Sequence, residues 1–190
     1  MTLAMIIATD MNYGIGYNGR LPWDIPQDRR FFAGVTKDSC VVMGRRTAKY
    51  LPGPLEYRAN YVLSHERSFH EEYNKRGFIC KYDAGFVKRD SLPMRLVFII
   101  GGAEVYKQFY NDVSVIIHTQ ILSEYKCDTY LDSISFDDKL NKCYCEVSYS
   151  TYIQENIQIV YNCYVQKEYK DLPITRQYVG RFFRGLSYIF

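Results

Sequence analysis

The residue with the clearest capacity for chemistry is Asp28, an acid that follows a stretch of loop-forming and apolar residues. Trp23 precedes it, and Phe31 and Phe32 follow it by one helical turn. Pro26 suits the first turn of a helix, where the helix dipole favours a negative charge, so Asp28 could be only a dipole-stabilising surface residue. If aromatic rings enclose it, however, the carboxyl group loses hydration and keeps its proton to higher pH, as a proton-donating catalyst requires.

Two further segments combine glycine with features that suit a phosphate group. Residues 41–47 end a strand at Gly44 and then open a predicted helix with two arginines, although a solvated basic turn could have the same sequence. In residues 98–106 a buried strand leads through Gly101 and Gly102 into a helix. The G-x-G-x-x-G pattern of dinucleotide-binding folds is absent. Each segment taken alone is weak evidence for a phosphate site.

The elements that must position these groups alternate between strands and helices. Near-continuous apolar runs rich in valine and isoleucine predict strands buried on both faces, which is typical of parallel sheets. These runs are residues 3–8, 40–43, 61–63, 96–100 and 113–117. Helical spacing in residues 26–35 and 103–111 then predicts an α/β fold with a mostly parallel central sheet. The β-rich stretch 143–167 predicts an antiparallel hairpin at one edge of that sheet.

Composition narrows the class of protein. The 190 residues, 47% of them hydrophobic and 24% charged, suit one globular domain with its own core. A net charge of +3 is too balanced to indicate nucleic acid as a partner. No apolar run approaches the roughly 20 residues of a membrane span, and the N-terminus lacks a signal-peptide pattern, so we expect no membrane association and a cytoplasmic location. The six cysteines lack metal-ligand spacing and are expected to be free thiols, with no metal site.

Taken together and in this order, the motifs resemble those of the dihydrofolate reductase family. The combination is specific: Leu-Pro-Trp with an acid five residues after the tryptophan, then Met-Gly-Arg, and later Ile-Gly-Gly. The matching positions are Ile15, Gly16, Leu21, Pro22, Trp23, Asp28, Phe32, Met43, Gly44, Arg45, Thr47, Arg58, Leu63, Ser64, Ile100, Gly101, Gly102, Tyr106, Thr119, Asp128 and Thr129. The resemblance covers about residues 3–168, most of the chain.

The resemblance implies a dihydrofolate-reductase-like α/β fold with a central eight-stranded, mostly parallel sheet, an antiparallel C-terminal hairpin and about four flanking helices. It implies a reductase domain at residues 1–168 and a basic, aromatic C-terminal extension at 169–190, which we expect to be only partly ordered. The implied activity is NADPH-dependent reduction of 7,8-dihydrofolate to 5,6,7,8-tetrahydrofolate, which supplies one-carbon and thymidylate metabolism. Antifolate inhibitors would bind the same site, and the enzyme would be a monomer unless the extension mediates contacts.

The family also implies roles for individual residues. Asp28 would bind the pterin and assist protonation of its N5, with Thr119 supporting the carboxyl group. Leu21 and Trp23 would belong to a mobile loop that closes over the nicotinamide. Arg58 would clamp the glutamate α-carboxylate of the substrate. The implied substrate-binding residues are Ile7, Asp28, Arg29, Phe32, Leu51, Leu55, Arg58, Ile100 and Thr119.

For the cofactor, the resemblance implies contacts from several segments of the chain. Ala8 and Ile15 would line the nicotinamide site, and the two glycine-containing helix starts would hold the pyrophosphate. Two arginines would match the 2′-phosphate of NADPH, and the family's cis peptide bond would join Gly101 to Gly102. The implied cofactor-binding residues are Ala8, Ile15, Gly16, Gly44, Arg45, Arg46, Thr47, Leu63, Ser64, His65, Ile100, Gly101, Gly102, Ala103, Glu104, Val105 and Tyr106.

Two positions depart from the family pattern. Arg29 stands where leucine, phenylalanine or glutamine is more familiar, and its side chain either reaches the rim of the substrate slot as a second carboxylate contact or simply faces solvent. Glu104 places an acid near the cofactor phosphate, where it either weakens phosphate binding or is only a first-turn helix residue.

Two other functions remain open on the sequence alone. A sister reductase of the same fold acts on a ribosylated aminopyrimidine in riboflavin synthesis, and it would need neither Asp28 nor Arg58. A non-catalytic binding protein could use the C-terminal extension to contact RNA or a partner subunit, although an intact Asp28, Trp23 and Arg58 argue against lost catalysis. We do not expect a thymidylate synthase domain within 190 residues.

Overall fold

The computed structural model describes residues 3–89, 92–93, 96–154 and 157–189. Its strands are β1 (Leu3–Thr9), β2 (Gly14–Gly16), β3 (Ser39–Gly44), β4 (Arg58–Leu63), β5 (Ile79–Lys81), β6 (Val97–Gly101), β7 (Val113–Ile121), β8 (Thr129–Tyr130), β9 (Tyr144–Gln154) and β10 (Ile157–Gln166). Its helices are α1 (Pro26–Thr36), α2 (Arg45–Tyr50), α3 (Arg67–Lys75), α4 (Phe86–Arg89), α5 (Ala103–Phe109), α6 (Ser133–Cys143) and α7 (Pro173–Leu186).

Eight of the strands form one sheet in the order β5-β4-β3-β6-β1-β7-β10-β9. Neighbours from β5 to β7 pair in parallel, whereas β10 pairs antiparallel with both β7 and β9. β9 and β10 follow each other in the chain and form the predicted hairpin. The predicted α/β fold with an eight-stranded, mostly parallel sheet is therefore confirmed.

The sheet is buried on both faces, as the unbroken apolar runs predict. Along β1, Ala4 and Ile6 pack into the core on one face, whereas Leu3, Met5 and Ile7 pack into the core on the other. All five side chains are at most 5% exposed. Each face of β1 packs into an apolar core, so every residue of the strand before Thr9 is apolar.

The helices are more numerous than the four expected. Seven α-helices lie in the described ranges, and only α1, α3, α6 and α7 have nine or more residues. α2, α4 and α5 span four to seven residues. The sequence predicted α2 after Gly44 and α5 within residues 103–111, whereas α4 is too short for a clear helical repeat. Within the described residues, no helix combines the length and apolar character that a membrane span requires.

The C-terminal extension differs from the partly ordered tail that we expected. It contains α7, which buries Thr175, Tyr178, Phe182 and Gly185 along one face. Tyr178 and Phe182 are fully buried in the same core as one face of the sheet. Tyr178 and Phe182 thus lie on the apolar face of an amphipathic helix.

Four of the six cysteines have described side chains, and all four are free thiols as predicted. Cys40 and Cys163 are buried, whereas Cys80 and Cys127 are partly exposed. The expectation for the remaining pair, Cys143 and Cys145, concerns side chains that lie outside the described part of the structure.

Candidate active site

A cleft with a volume of about 1390 Å³ opens where the parallel strands end. Its walls include residues at the carboxyl ends of β1, β3, β4 and β6, which is where open α/β sheets bind ligands. A typical pocket for one small molecule has a volume of roughly 300–1000 Å³. The cleft therefore has room for a substrate and a cofactor together.

The cleft gathers nearly all the residues to which the sequence assigned a role. Every predicted catalytic, substrate-binding and cofactor-binding residue lines it except Arg58. The structure adds lining residues to which the sequence gave no role: Ile6, Gly19, Arg20, Tyr50, Tyr82, Asp83, Ala84, Gln108 and Tyr130. Tyr82, Asp83 and Ala84 follow β5, a strand of only three residues, so no sequence pattern pointed to that part of the wall.

Asp28 lies in the first turn of α1 and is only 5% exposed. Thr119 faces it from β7, where its backbone pairs with Ala8 of β1. Burial raises the pKa of Asp28 to about 6, while hydrogen-bonding groups on Thr119 and Trp23 act in the opposite direction. The cleft thus contains a carboxyl group that takes up and releases protons near neutral pH, as proton transfer requires.

Trp23 covers this carboxyl group and is itself 7% exposed. Its ring packs edge-to-face on Tyr125, with the ring centroids 5.5 Å apart. Within the described part of the chain, the buried indole Nε1 has no acceptor at hydrogen-bonding distance, so its influence on Asp28 acts across a longer separation. An unpaired buried N–H group beside the acid fits a cleft that receives a polar ligand.

The opposite wall fits the pyrophosphate of a dinucleotide. α2 begins after Gly44 and α5 after Gly102, and in neither helix does a side chain cap the first turn, which leaves backbone N–H groups for an anion. The peptide bond from Gly101 to Gly102 is cis, as the resemblance implied. Gly101 has a φ of 118°, and a Cβ atom there would lie 3.2 Å from the Tyr106 hydroxyl oxygen. A side chain at this position would therefore crowd the pyrophosphate cradle, by which we mean the starts of α2 and α5 after Gly44 and Gly102.

The charges along this wall are mixed. Arg45 forms an ion pair with Glu66, and both side chains are partly exposed. Asp83 and Glu104 also line the cleft. Arg45 and Arg46, the arginines predicted to bind the 2′-phosphate, therefore lie among acids, one of which already pairs with Arg45.

The loop of residues 15–23, which follows β1, lines part of the cleft and is held by hydrogen bonds to Asp128. The Asn18 backbone N–H donates to Oδ2 of Asp128 at 2.7 Å, and the Asp128 backbone N–H donates to the Gly16 carbonyl oxygen at 2.9 Å. Gly19 has a φ of 75° and packs so tightly on Tyr50 that a Cβ atom would lie 1.7 Å from the ring. This loop carries Leu21 and Trp23 toward the cleft, so its tethers help to set their positions.

Arg58 lies beside the cleft and not in its lining. It is half-buried and donates hydrogen bonds to Oγ1 of Thr36 and to the carbonyl oxygens of Glu56 and Ala33, at 2.9, 2.7 and 3.1 Å. The guanidinium carbon lies 5.9 Å from the centre of the Phe32 ring, which does line the cleft. These bonds fix the plane of the guanidinium group and still leave an N–H on each terminal nitrogen, the arrangement that a bidentate carboxylate contact uses.

Arg29 reaches the rim of the cleft, where its side chain is 58% exposed. There it forms an ion pair with Asp24, which the sequence did not suggest. Two of the three histidines are buried and hydrogen-bonded: Nε2 of His118 lies 3.0 Å from the Thr9 hydroxyl, and Nε2 of His70 lies 2.7 Å from the Ser64 carbonyl oxygen. The described residues contain no cluster of three or more metal-ligating side chains.

Comparison with known proteins identifies the family. The family model for dihydrofolate reductase matches residues 2–166. The dihydrofolate reductase of Haemophilus influenzae is 29% identical over 171 residues, which cover 86% of this chain and 95% of that protein. The dihydrofolate reductase of Schistosoma mansoni is 36% identical over 158 residues, covering 75% of this chain and 83% of that protein. The bifunctional dihydrofolate reductase-thymidylate synthase of Glycine max is 31% identical over 152 residues, covering 71% of this chain but 29% of that protein.

The fold agrees with this assignment. The structure of dihydrofolate reductase from Enterococcus faecalis, complexed with NADP(H) and RAB-propyl, superimposes with a TM-score of 0.76 at 24% sequence identity. The alignment covers 87% of this chain and 96% of that one. The family match favours dihydrofolate reductase over the two alternatives, the sister reductase of riboflavin synthesis and a non-catalytic binding protein. The chain belongs to the dihydrofolate reductase family, and it is an NADPH-dependent oxidoreductase that reduces 7,8-dihydrofolate to 5,6,7,8-tetrahydrofolate in one-carbon metabolism.

Proposed function

We propose that Asp28 is the acid that this reductase uses to bind the pterin and to assist protonation of N5. The observation that supports the role is its burial in the cleft, which raises the pKa of the carboxyl group to about 6. NADPH, when bound, supplies the hydride. Comparing the rate of NADPH oxidation with dihydrofolate in the wild type and in Asp28→Asn tests the role.

The residues around Asp28 prepare the carboxyl group for this step. Thr119 lies next to it and is 2% exposed, so its hydroxyl can orient the carboxyl group without admitting water. Trp23, which is 7% exposed, and Leu21 line the same cleft. Excluding water strengthens the interactions between Asp28 and the pterin ring.

The rest of the substrate is expected to lie along α1. Phe32, Leu51 and Leu55 form an apolar wall that suits the aminobenzoyl ring, with Ile7 and Ile100 deeper in the cleft. Arg58, held in place by its three hydrogen bonds, would take the glutamate α-carboxylate. These assignments follow the family resemblance and are consistent with the positions of the side chains.

Replacing both Arg45 and Arg46 with glutamine is expected to weaken binding of NADPH much more than binding of NADH. Only NADPH carries the 2′-phosphate, and both arginines line the cleft. Titration of each cofactor against Trp23 fluorescence gives the two dissociation constants. Arg67→Gln is the matched control, because Arg67 pairs with Glu71 on the surface of α3. Equal losses for NADPH and NADH would place the arginines on the pyrophosphate, and no loss for either would place them in solvent.

Replacing Arg29 with leucine is expected to raise the KM for dihydrofolate several-fold if the guanidinium is a second contact for the glutamate carboxylates. The contact is exposed and competes with Asp24, so it is worth only about 1 kcal/mol or less. A pterin substrate without the glutamate should be unaffected. An identical response of both substrates, or none, would show that Arg29 pairs only with Asp24.

The location, the oligomeric state and the partners of the protein form a separate proposal. We propose that the protein acts in the cytoplasm as a monomer, without nucleic acid as a partner, and that antifolates occupy the substrate part of the cleft. The support for the absence of nucleic acid is a balanced net charge of +3. A monomeric mass by light scattering would agree with this proposal, and a dimeric mass would overturn it.

A further inference from the structure

α7 lies beyond residues 2–166, the part of the chain that the family model matches. It nevertheless lies close to the elements that form the cleft. It packs against α1, the helix that carries Asp28, and against the sheet beneath.

Contact between the two helices is closest at Gly185. A Cβ atom at this position would lie 2.5 Å from Cγ2 of Val35 and 2.7 Å from Cδ2 of Phe31. On the other side of the contact, a Cβ atom on Gly34 would lie 3.1 Å from the Gly185 Cα atom. Two facing glycines thus allow α7 and α1 to approach backbone to backbone.

Phe31 connects this contact to the cleft. Its ring is fully buried and lines the cleft, one helical turn after Asp28. The ring also packs edge-to-face on Phe182 of α7, with the centroids 5.8 Å apart, and on Tyr161 of β10, with the centroids 4.4 Å apart. The position of Phe31 is therefore set partly by the site and partly by α7.

The end of α1 is held by basic residues of α7. Arg181 donates hydrogen bonds to the carbonyl oxygens of Lys37 and Asp38, which follow the last turn of α1. Arg184 forms an ion pair with Asp38 at 3.5 Å. Positive groups at the C-terminal end of a helix also complement its dipole.

α7 is itself anchored to the centre of the sheet. The hydroxyl of Tyr178 accepts a hydrogen bond from the Val97 N–H at 2.9 Å and donates one to the Val97 carbonyl oxygen at 3.2 Å. The Tyr178 ring packs edge-to-face on Phe98 with the centroids 5.3 Å apart. α7 thus links β6 to α1 on the side of α1 that faces away from solvent.

We propose that α7 is a positioning element of the active site, in which Gly185 and Phe182 fix Phe31 and the register of α1 against the cleft. They act on the substrate half of the cleft, because α1 carries Asp28, Arg29, Phe31 and Phe32, whereas the pyrophosphate cradle lies on α2 and α5. Neither residue touches the cleft directly. The inference rests on the proposed binding of dihydrofolate along α1.

The test compares Gly185→Ala with Gly180→Ala in the full chain. Both variants add one methyl group to α7, but a Cβ atom on Gly180 meets nothing within 4 Å. In Gly185→Ala, Val35 and Phe31 must shift, because the added methyl group would lie 2.5 Å from Cγ2 of Val35 and 2.7 Å from Cδ2 of Phe31. We expect the KM and the directly measured dissociation constant for dihydrofolate to rise by about five- to tenfold, since a ~1 Å misplacement can cost about 100-fold. The dissociation constant for NADP⁺ should stay unchanged, and Gly180→Ala should match the wild type.

A merely structural role of α7 predicts a different pattern. Partial unfolding of Gly185→Ala would lower kcat and the melting temperature and leave KM unchanged, and that result would overturn the proposal. The assays are run well below the melting temperature of each variant. A wild type that fails to bind dihydrofolate would instead refute the proposed function, independently of α7.

A second substitution keeps the test informative if Gly185→Ala folds poorly. Val35→Ala removes the atom nearest to the added methyl group and does not line the cleft. In the Val35→Ala background, Gly185→Ala should raise the KM for dihydrofolate less than it does in the wild type. Equal increases in the two backgrounds would show that the effect does not pass through the contact between α7 and α1.

Discussion

Asp28→Asn is expected to lower the rate of hydride transfer to dihydrofolate by about 10²–10⁴-fold at pH 7, which is the usual contribution of a positioned acid. Asparagine preserves the size of the side chain, but it can neither carry the carboxylate charge that we propose binds the pterin nor release a proton. In the wild type, the rate should rise as the pH falls through about 6, because the buried carboxyl group becomes protonated there. Single-turnover measurements between pH 5 and 9 report both effects.

The variant should recover activity only in more acidic solution, where the substrate is protonated before it binds. Asp112→Asn is the control, because Asp112 pairs with Lys88 on the surface and does not line the cleft. It should keep the pH profile of the wild type. An Asp28→Asn enzyme with wild-type rates at pH 7 would remove Asp28 from the mechanism.

The second large effect concerns stability and not chemistry. Phe182→Ala is expected to lower the free energy of unfolding by about 3–5 kcal/mol, because it deletes a fully buried ring and leaves a cavity beneath α1. Phe183→Ala is the matched control at the next position, where the ring is 54% exposed. Its effect should stay below about 1 kcal/mol. Urea denaturation of the three proteins gives the comparison.

Similar losses in the two phenylalanine variants would contradict the packing of α7 described above. A loss confined to Phe182→Ala would show that residues beyond the family match belong to the same cooperative core. The predicted differences are large enough to measure despite the uncertainty of extrapolation to zero denaturant.

The sequence predicted the sheet and most of the cleft for a clear physical reason. Strands buried on both faces leave unbroken apolar runs, and the glycines at Gly44 and Gly101 mark where those runs end. The cleft lies at these strand ends, so most of its lining follows once the strands are placed. Individual roles, such as that of Asp28, come from the family resemblance and are still to be tested.

Other parts of the molecule left weaker signals. The buried positions Thr175, Tyr178, Phe182 and Gly185 recur at helical spacing, but interleaved arginines gave the extension the character of a basic tail. The ion pair of Arg29 with Asp24 depends on side-chain geometry that no spacing rule specifies.

The burial of Asp28 also makes folding of the ligand-free protein depend on protons. The pKa of this carboxyl group is raised from 3.8 to about 6 in the folded chain, so between these values the folded state binds more protons than the unfolded state does. The stability associated with this group is complete below about pH 3.8 and is lost as the pH rises through about 6. The loss is on the order of 3 kcal/mol, from 1.36 kcal/mol per pKa unit. At neutral pH the carboxyl group to which we assign the proton transfer therefore weakens the fold. A ligand that brings a positive charge to it restores the stability that its ionisation removed.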